Sequence, residues 1–273
     1  MREGERERVK GQERLTRLFA SYTFDGLSAL PNTILLVGHR GSGRHTLTKE
    51  LTDRLKLSIV DITEGLVDID NTIDTAYLCD LSKVSREYQN KLLKLVEEPR
   101  KHVYVICFAE QVSDVIETLL NRFSSIFYMD TYTPEFLKDI TGTDFDDVVY
   151  SVYDTPGLVK EAESIDIAGY RELIGKILNF IGSASYPNTL SIADKYDFDR
   201  RKFALFLEML RSACIVGLHE GKKCESILSL ACDTLRALRH YPALGNKSDV
   251  VGFLSRLWET ARDGTERAEG DIK

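Results

Sequence analysis

One stretch constrains this chain more than any other. The apolar run Ile34-Leu35-Leu36-Val37 passes into Gly38-His39-Arg40-Gly41-Ser42-Gly43-Arg44-His45-Thr46, and an apolar-periodic segment begins at Leu47. The pattern predicts a buried strand, a glycine-rich turn and a helix, the arrangement in which backbone N–H groups at a helix N-terminus wrap phosphate. A working loop of this kind reads Gly-x-x-x-x-Gly-Lys-[Ser/Thr]: the Lys meets the β and γ oxygens and the hydroxyl binds Mg²⁺. Here Gly38, Gly41 and Gly43 keep the backbone pattern around Ser42, but Arg44 stands at the Lys position and His45 at the hydroxyl position, ahead of Thr46. Arg keeps the charge on a bulkier planar fork, and imidazole is not the hard oxygen ligand that Mg²⁺ takes. Two readings stay open: a cradle that holds ATP or ADP weakly or not at all, with Mg²⁺ in doubt, and a glycine turn that merely joins strand to helix. Hydrolysis is the reading these residues favour least.

Around this loop β-type runs alternate with amphipathic stretches: Thr46 to Leu55, then Thr75 to Cys79, Arg86 to Glu98, Val103 to Phe108, and Val112 to Asn121. Alternation of this kind predicts parallel strands joined by crossover helices. Beyond Tyr132, short helices are expected at Pro134 to Ile140 and Pro156 to Ala162, around a polar loop at Gly142 to Asp147. From Tyr170 apolar residues recur at helical spacing, as in Phe203, Phe206, Leu207, Leu210 and Cys214, which predicts an all-helical bundle. At 273 residues and 43% apolar content the chain has enough material for two or three packed units. The expected division is an α/β domain over 1–131, a helical lid over 132–168, an all-α domain over 169–263 and a frayed polar tail over 264–273.

A formal net charge of -7 argues against a free-standing nucleic-acid binder, because phosphate contacts need clustered Lys and Arg, so any DNA contact is expected to be local or shared with partners. Apolar runs such as Val103 to Phe108 fall far below the roughly 18 residues of a bilayer span. Met1 to Arg8 has no apolar stretch and is not a secretory signal, so a cytoplasmic location with no membrane partner is expected. The five cysteines form no Cys-x-x-Cys pair, which predicts reduced thiols and neither disulfide nor metal. Cys214, His219 and Cys224 lack ligand spacing, and Asp144-Phe145-Asp146-Asp147 lacks the glycine of a calcium loop.

The most specific segment is Thr75 to Pro99, in which an apolar strand ends at Cys79-Asp80 and a helix follows that reads Gln89-Asn90-Lys91-Leu92-Leu93-Lys94-Leu95-Val96-Glu97-Glu98-Pro99. By itself it predicts an amphipathic helix stopped by Pro99. It also resembles the bacterial clamp-loader signature, Gln-Asn-x-Leu-Leu-Lys-x-x-Glu-Glu-Pro, preceded by an acidic pair whose places Cys79 and Asp80 take. Upstream, Val9-Lys10-Gly11-Gln12-Glu13-Arg14-Leu15 resembles that family's Gly-Gln-Glu entry motif. Downstream, Thr118-Leu119-Leu120-Asn121-Arg122-Phe123 sits where the family carries Thr-Ile-x-Ser-Arg-Cys, and Asp154-Thr155-Pro156-Gly157-Leu158-Val159 resembles its lid motif Gly-x-Pro-Gly-Arg-Ala.

On this resemblance, which runs from Val9 to Trp258, the chain is similar to AAA+ clamp-loader subunits of the DNA polymerase III delta-prime type. It would be a reduced form without the zinc module, since Leu47 to Ala76 contains no Cys. The resemblance implies an AAA+ P-loop parallel-sheet domain, a small helical lid and an all-α collar. It implies partnership with other clamp-loader subunits, a sliding clamp and, through the complex, primer-template DNA. It also gives Arg122 the role of an arginine finger in an adjacent subunit's ATP site, and it places Leu158 where the family's phosphate-sensing Arg stands. The expected function is a non-hydrolysing subunit supporting clamp loading. The alternatives are an active AAA+ ATPase that uses Arg44 and Asp80 as substitutes, and an AAA+-shaped adaptor in another nucleic-acid complex.

Overall fold

A computed structural model describes residues 9–69, 72–179, 188–240 and 244–270, with side chains as far as residue 260. The expectation about Met1 to Arg8 lies outside the described residues. Two compact units emerge: the residues up to Thr143 together with Asp154–Lys160, and Asp144–Tyr153 together with Glu161 onward. The stretch 132–168 divides between them.

In the first unit, α1 (Glu13–Asp25) precedes β1 (Thr33–Val37), α2 (Arg44–Leu55), β2 (Ser58–Asp61), β3 (Thr75–Asp80), α3 (Arg86–Glu97), β4 (Val103–Ala109), α4 (Glu117–Leu120), β5 (Ser125–Tyr128) and α5 (Pro134–Thr141). The five strands make one all-parallel sheet in the order β2-β3-β4-β1-β5. This is the mixed α/β class expected.

Because side chains alternate across a strand, β1 feeds two cores. Ile34 and Leu36 pack with Leu15 and Phe19 of α1 and with Leu47 and Leu51 of α2. Leu35 and Val37 pack with Leu92 and Val96 of α3 and with Leu119 of α4. Both faces are covered, which is why β1 and β4 are apolar at nearly every position. The chain leaves β1 toward one face and β4 toward the other. These adjacent strands therefore mark a switch point, whose carboxyl ends open a crevice.

The single helix expected over Val112 to Asn121 is instead a 3₁₀ turn at Val112–Asp114 followed by the short α4. Its cause is local. Asp114 and Gln111 cap each other, and the buried Gln89 accepts from the Ile116 N–H at 2.9 Å, fixing Ile116 in an extended conformation. Gln89 also donates to the carbonyls of Leu81 and Asp114, at 3.2 and 2.7 Å. The Gln of the signature helix thus fastens three backbone segments together.

In the second unit, α6 (Asp147–Val152) forms at the end of the expected polar loop; α7 (Pro156–Ala162) forms where a short helix is expected, with its residues up to Lys160 belonging to the first unit rather than to a separate lid. Then follow α8 (Ile167–Asn179), α9 (Thr189–Tyr196), α10 (Arg200–His219), α11 (Glu225–His240) and α12 (Lys247–Gly270). α10 packs against α6, α8 and α11, and α12 against α9 and α11. Tyr170, Phe198 and Phe206 form an aromatic centre with ring centroids 5.4–5.9 Å apart. α12 remains helical to Gly270, where the polar composition predicts fraying from residue 264. No helix among the described residues is long and apolar enough to cross a membrane.

Candidate phosphate-loop site and Arg122

The loop between β1 and α2 needs its glycines. Gly41 and Gly43 have φ of +80° and +97°, a region that side chains with a Cβ rarely enter. Gly43 ends the loop as the N-cap of α2, with no side chain capping that helix. Its first-turn N–H groups are thus left for an external acceptor.

Three other segments press on the loop. A Cβ on Gly43 would lie 2.5 Å from Val9 Cγ1. Tyr132 donates its hydroxyl hydrogen toward the Ser42 carbonyl at 2.9 Å. The Gln12 amide, fully buried, donates to Tyr132 Oη and to the Asp130 carbonyl and accepts from the Asp130 N–H. This gives the Gly-Gln-Glu motif a physical purpose: it ties the chain's entry to the exit of β5. On another side, Thr155 Oγ1 donates to the Arg40 carbonyl at 2.7 Å and Gly157 N to the Gly41 carbonyl at 3.2 Å. His39 Nδ1 lies 2.5 Å from Asp154 Oδ2. Leu158, in the same segment, is buried.

Arg44 is only 4% exposed, and its Nη1 has no hydrogen-bond partner among the described residues. Burial pulls its pKa down, while the charges of Asp80, Glu110 and Asp114 oppose that shift. His45 packs its ring 4.2 Å from that of Phe108. Its pKa is depressed, first by desolvation and then by Arg44. Ser42 is buried and its Oγ likewise has no partner among the described residues. Thr46 is exposed in the first turn of α2.

The acidic pair of the resemblance falls on opposite faces of β3. Cys79 is fully buried in the core under α3, in register with Cys107 of β4. Asp80 has both carboxylate oxygens engaged: Oδ1 accepts from Ser82 N at 3.2 Å and Oδ2 meets Lys83 Nζ at 3.2 Å. Asp114 is likewise taken up by Ser82 Oγ, Gln111 N and Gln111 Nε2. His45 is turned onto an aromatic ring and offers no oxygen ligand at the hydroxyl position of the loop. Among the described residues no group of three or more His, Cys, Asp or Glu could hold a metal ion.

A cavity of about 320 Å³ opens at the carboxyl ends of β1, β4 and β5, bounded by Gly38, Ser42, Glu110, Met129, Tyr132 and Asp154 among others. Glu110, Asp114 and Asp130 were not singled out by sequence motifs. A usable signal exists for Glu110: it directly follows β4, and residues just past strand carboxyl ends face the crevice.

Arg122 lies elsewhere. It follows α4 and precedes β5, whose first residue, Ser125, pairs with Ile34 near the amino end of β1. The loop follows the carboxyl end of that five-residue strand, so the sheet separates the two by roughly 15 Å. Arg122 Nε is 3.1 Å from Glu97 Oε2 and Nη1 donates to the Thr118 carbonyl at 2.5 Å. The structure thus brings Gly38, Gly41, Ser42, Gly43, Arg44, His45 and Thr46 together, leaves Asp80 bound to its own turn, and sets Arg122 near the opposite, amino end of the strands.

No protein-family model matches the chain, and no curated protein matches it. Solved structures are similar in fold. A DNA polymerase III gamma subunit-related protein from Thermotoga maritima is 12% identical, covering 93% of this chain and 100% of that one, with a TM-score of 0.44. The RuvB Holliday junction branch migration motor of Thermotoga maritima is 14% identical, covering 68% of this chain and 81% of that one, with a TM-score of 0.43.

Proposed function

We propose that this chain is an AAA+ subunit of a clamp-loader-type complex, of the delta-prime kind, that does not hydrolyse ATP at its own loop and serves a neighbour's. One observation carries the reading: the phosphate loop keeps its backbone form while its chemistry is spent, and Arg122 stands beyond reach of that loop, where another subunit could use it. Cys79 is in the core, His45 lies on Phe108, Leu158 is buried and Asp80 is bound to Ser82 and Lys83. An arginine at a neighbour's γ-phosphate stabilises charge that develops during phosphoryl transfer. To act so, Arg122 must leave Glu97, an exchange that is inexpensive because both side chains are partly solvated.

In this reading the all-helical second unit assembles the ring, and DNA is met through the complex. The test is reassembly with clamp-loader subunits and a sliding clamp, followed by Arg122→Ala. Assembly should stay intact and DNA-stimulated ATPase should drop by about a thousandfold, the scale of a lost arginine finger. Unchanged turnover removes the finger, and clear Mg²⁺-dependent turnover by the isolated chain removes the non-hydrolysing role.

A further inference from the structure

The cavity at the carboxyl ends of the strands is acidic. Glu110, Asp130 and Asp154 line it, and among the described residues no Lys or Arg does. Compensation for these charges is thin. His39 lies against Asp154, and Arg14, itself outside the lining, meets Asp130 Oδ1 at 3.5 Å. The Glu110 main chain donates to Ser82 Oγ, but its carboxylate makes no hydrogen bond or ion pair among the described residues. A separate observation points to a ligand. Ser42 is 3% exposed and lines the same cavity, and its Oγ has no partner among the described residues. A Cβ placed on Gly38, another lining residue, would stand 3.2 Å from that oxygen, so the hydroxyl lies against the cavity wall. A buried hydroxyl short of a partner costs stability, and a donor seated in the cavity would complete it.

Three carboxylates around one cleft repel one another and draw positive charge into it. A metal ion does not answer this field, because no three His, Cys, Asp or Glu among the described residues are placed to hold one. The charges are spread over more of the wall than a single ion spans, and Met129, Tyr128 and Tyr132 supply apolar and aromatic wall between them. A volume of about 320 Å³ is at the small end for ligand pockets. We propose that this cavity binds a small organic cation, a guanidinium or primary ammonium on a short alkyl chain, which donates to the Glu110 carboxylate and to Ser42 Oγ. A guanidinium suits it best, since its planar fork presents several donors in fixed directions. The inference rests on the cavity and not on Arg122, on assembly or on phosphate in the loop, so it can fail while the clamp-loader reading stands.

The experiment is calorimetric titration of the full chain with butylguanidinium, beside butylurea, which has nearly the same shape and no charge. Butylguanidinium should bind with a Kd below about 1 mM, and butylurea about tenfold more weakly or worse. Glu110→Gln should weaken butylguanidinium by about tenfold. The same change should leave the unliganded melting temperature unchanged or raised, because that carboxylate holds no other group in place. Acetyl-arginine methylamide separates two sources of the same head group. Binding as tight as that of butylguanidinium assigns the site to an arginine side chain of another polypeptide; binding about tenfold weaker assigns it to a free small molecule, and either result supports the proposal. The proposal is overturned by any of three results: no binding of butylguanidinium, butylurea binding as tightly, or Glu110→Gln binding as wild type. If Glu110→Gln does not fold, the comparison of butylguanidinium with butylurea on the wild-type chain decides alone.

Discussion

Replacing Gly41 with Ala should do more damage than its exposed position suggests. Its φ of +80° forces the new side chain into left-handed backbone space, at about 1–2 kcal/mol. The new Cβ would stand 2.6 Å from Thr155 Oγ1 and 3.0 Å from both Gly157 Cα and Leu158 N. Two of those three neighbours are main-chain atoms, so no rotamer change relieves the contact. The Asp154–Val159 segment must lift, breaking the bonds from Thr155 Oγ1 to Arg40 and from Gly157 N to Gly41. At about 1 kcal/mol each, these bring the total near 3–4 kcal/mol. For a unit of this size that lowers the midpoint by about 10 °C. Urea unfolding of the full chain, followed by near-UV circular dichroism, measures it, and hydrogen exchange should show amides 155–159 losing protection ahead of the sheet. Gly175→Ala in α8 is the control: nothing lies within 4 Å of its added Cβ, and it should gain up to about 1 kcal/mol. A loss below about 1 kcal/mol for Gly41→Ala, or unchanged exchange at 155–159, would refute the direct packing of that segment on the loop.

Gln89→Leu should cost about 3 kcal/mol, because it removes the buried bond to the Leu81 carbonyl and the partly buried bonds to the Asp114 carbonyl and the Ile116 N–H; chemical denaturation checks it. His45 should make stability fall as pH drops below the ordinary imidazole value of 6.5. Its folded pKa is depressed, so the unfolded chain binds the proton first and stability rises with pH across that window; His45→Gln should flatten the slope. Thiol labelling of the native chain at mildly alkaline pH should modify Cys232 first. Cys232 is partly exposed, whereas the other four are buried and burial pushes Cys214 up to about 12.

The loop and its flanking elements were legible because each level agreed: apolar strand, obligatory glycines, periodic helix. β2 and β5 were not, since each has four residues on an edge of the sheet and carries no run of buried positions to announce it. α1 was hidden by its charged first turn, although Leu15 and Phe19 at helical spacing bury one face. The broken helix at 112–121 is a tertiary effect, imposed by Gln89 from more than twenty residues away. In the site, sequence could name Arg44 and His45 as replacements but not their surroundings. Burial and the commitments of Asp80 depend on chain segments that sequence spacing does not bring together.

The Gln12 amide and the Asp130 backbone that it grips are 118 positions apart. Val9 and Tyr132, the two walls that press on the phosphate loop, belong to these distant ends. The loop itself is encoded early, in nine consecutive residues, yet on a ribosome its walls must wait for the last strand of the sheet to emerge. Contacts of such long range form late and slowly, so the cradle is a record of completed folding. A nascent or clipped chain could hold every residue of the motif and still lack the shape that gives the motif its meaning.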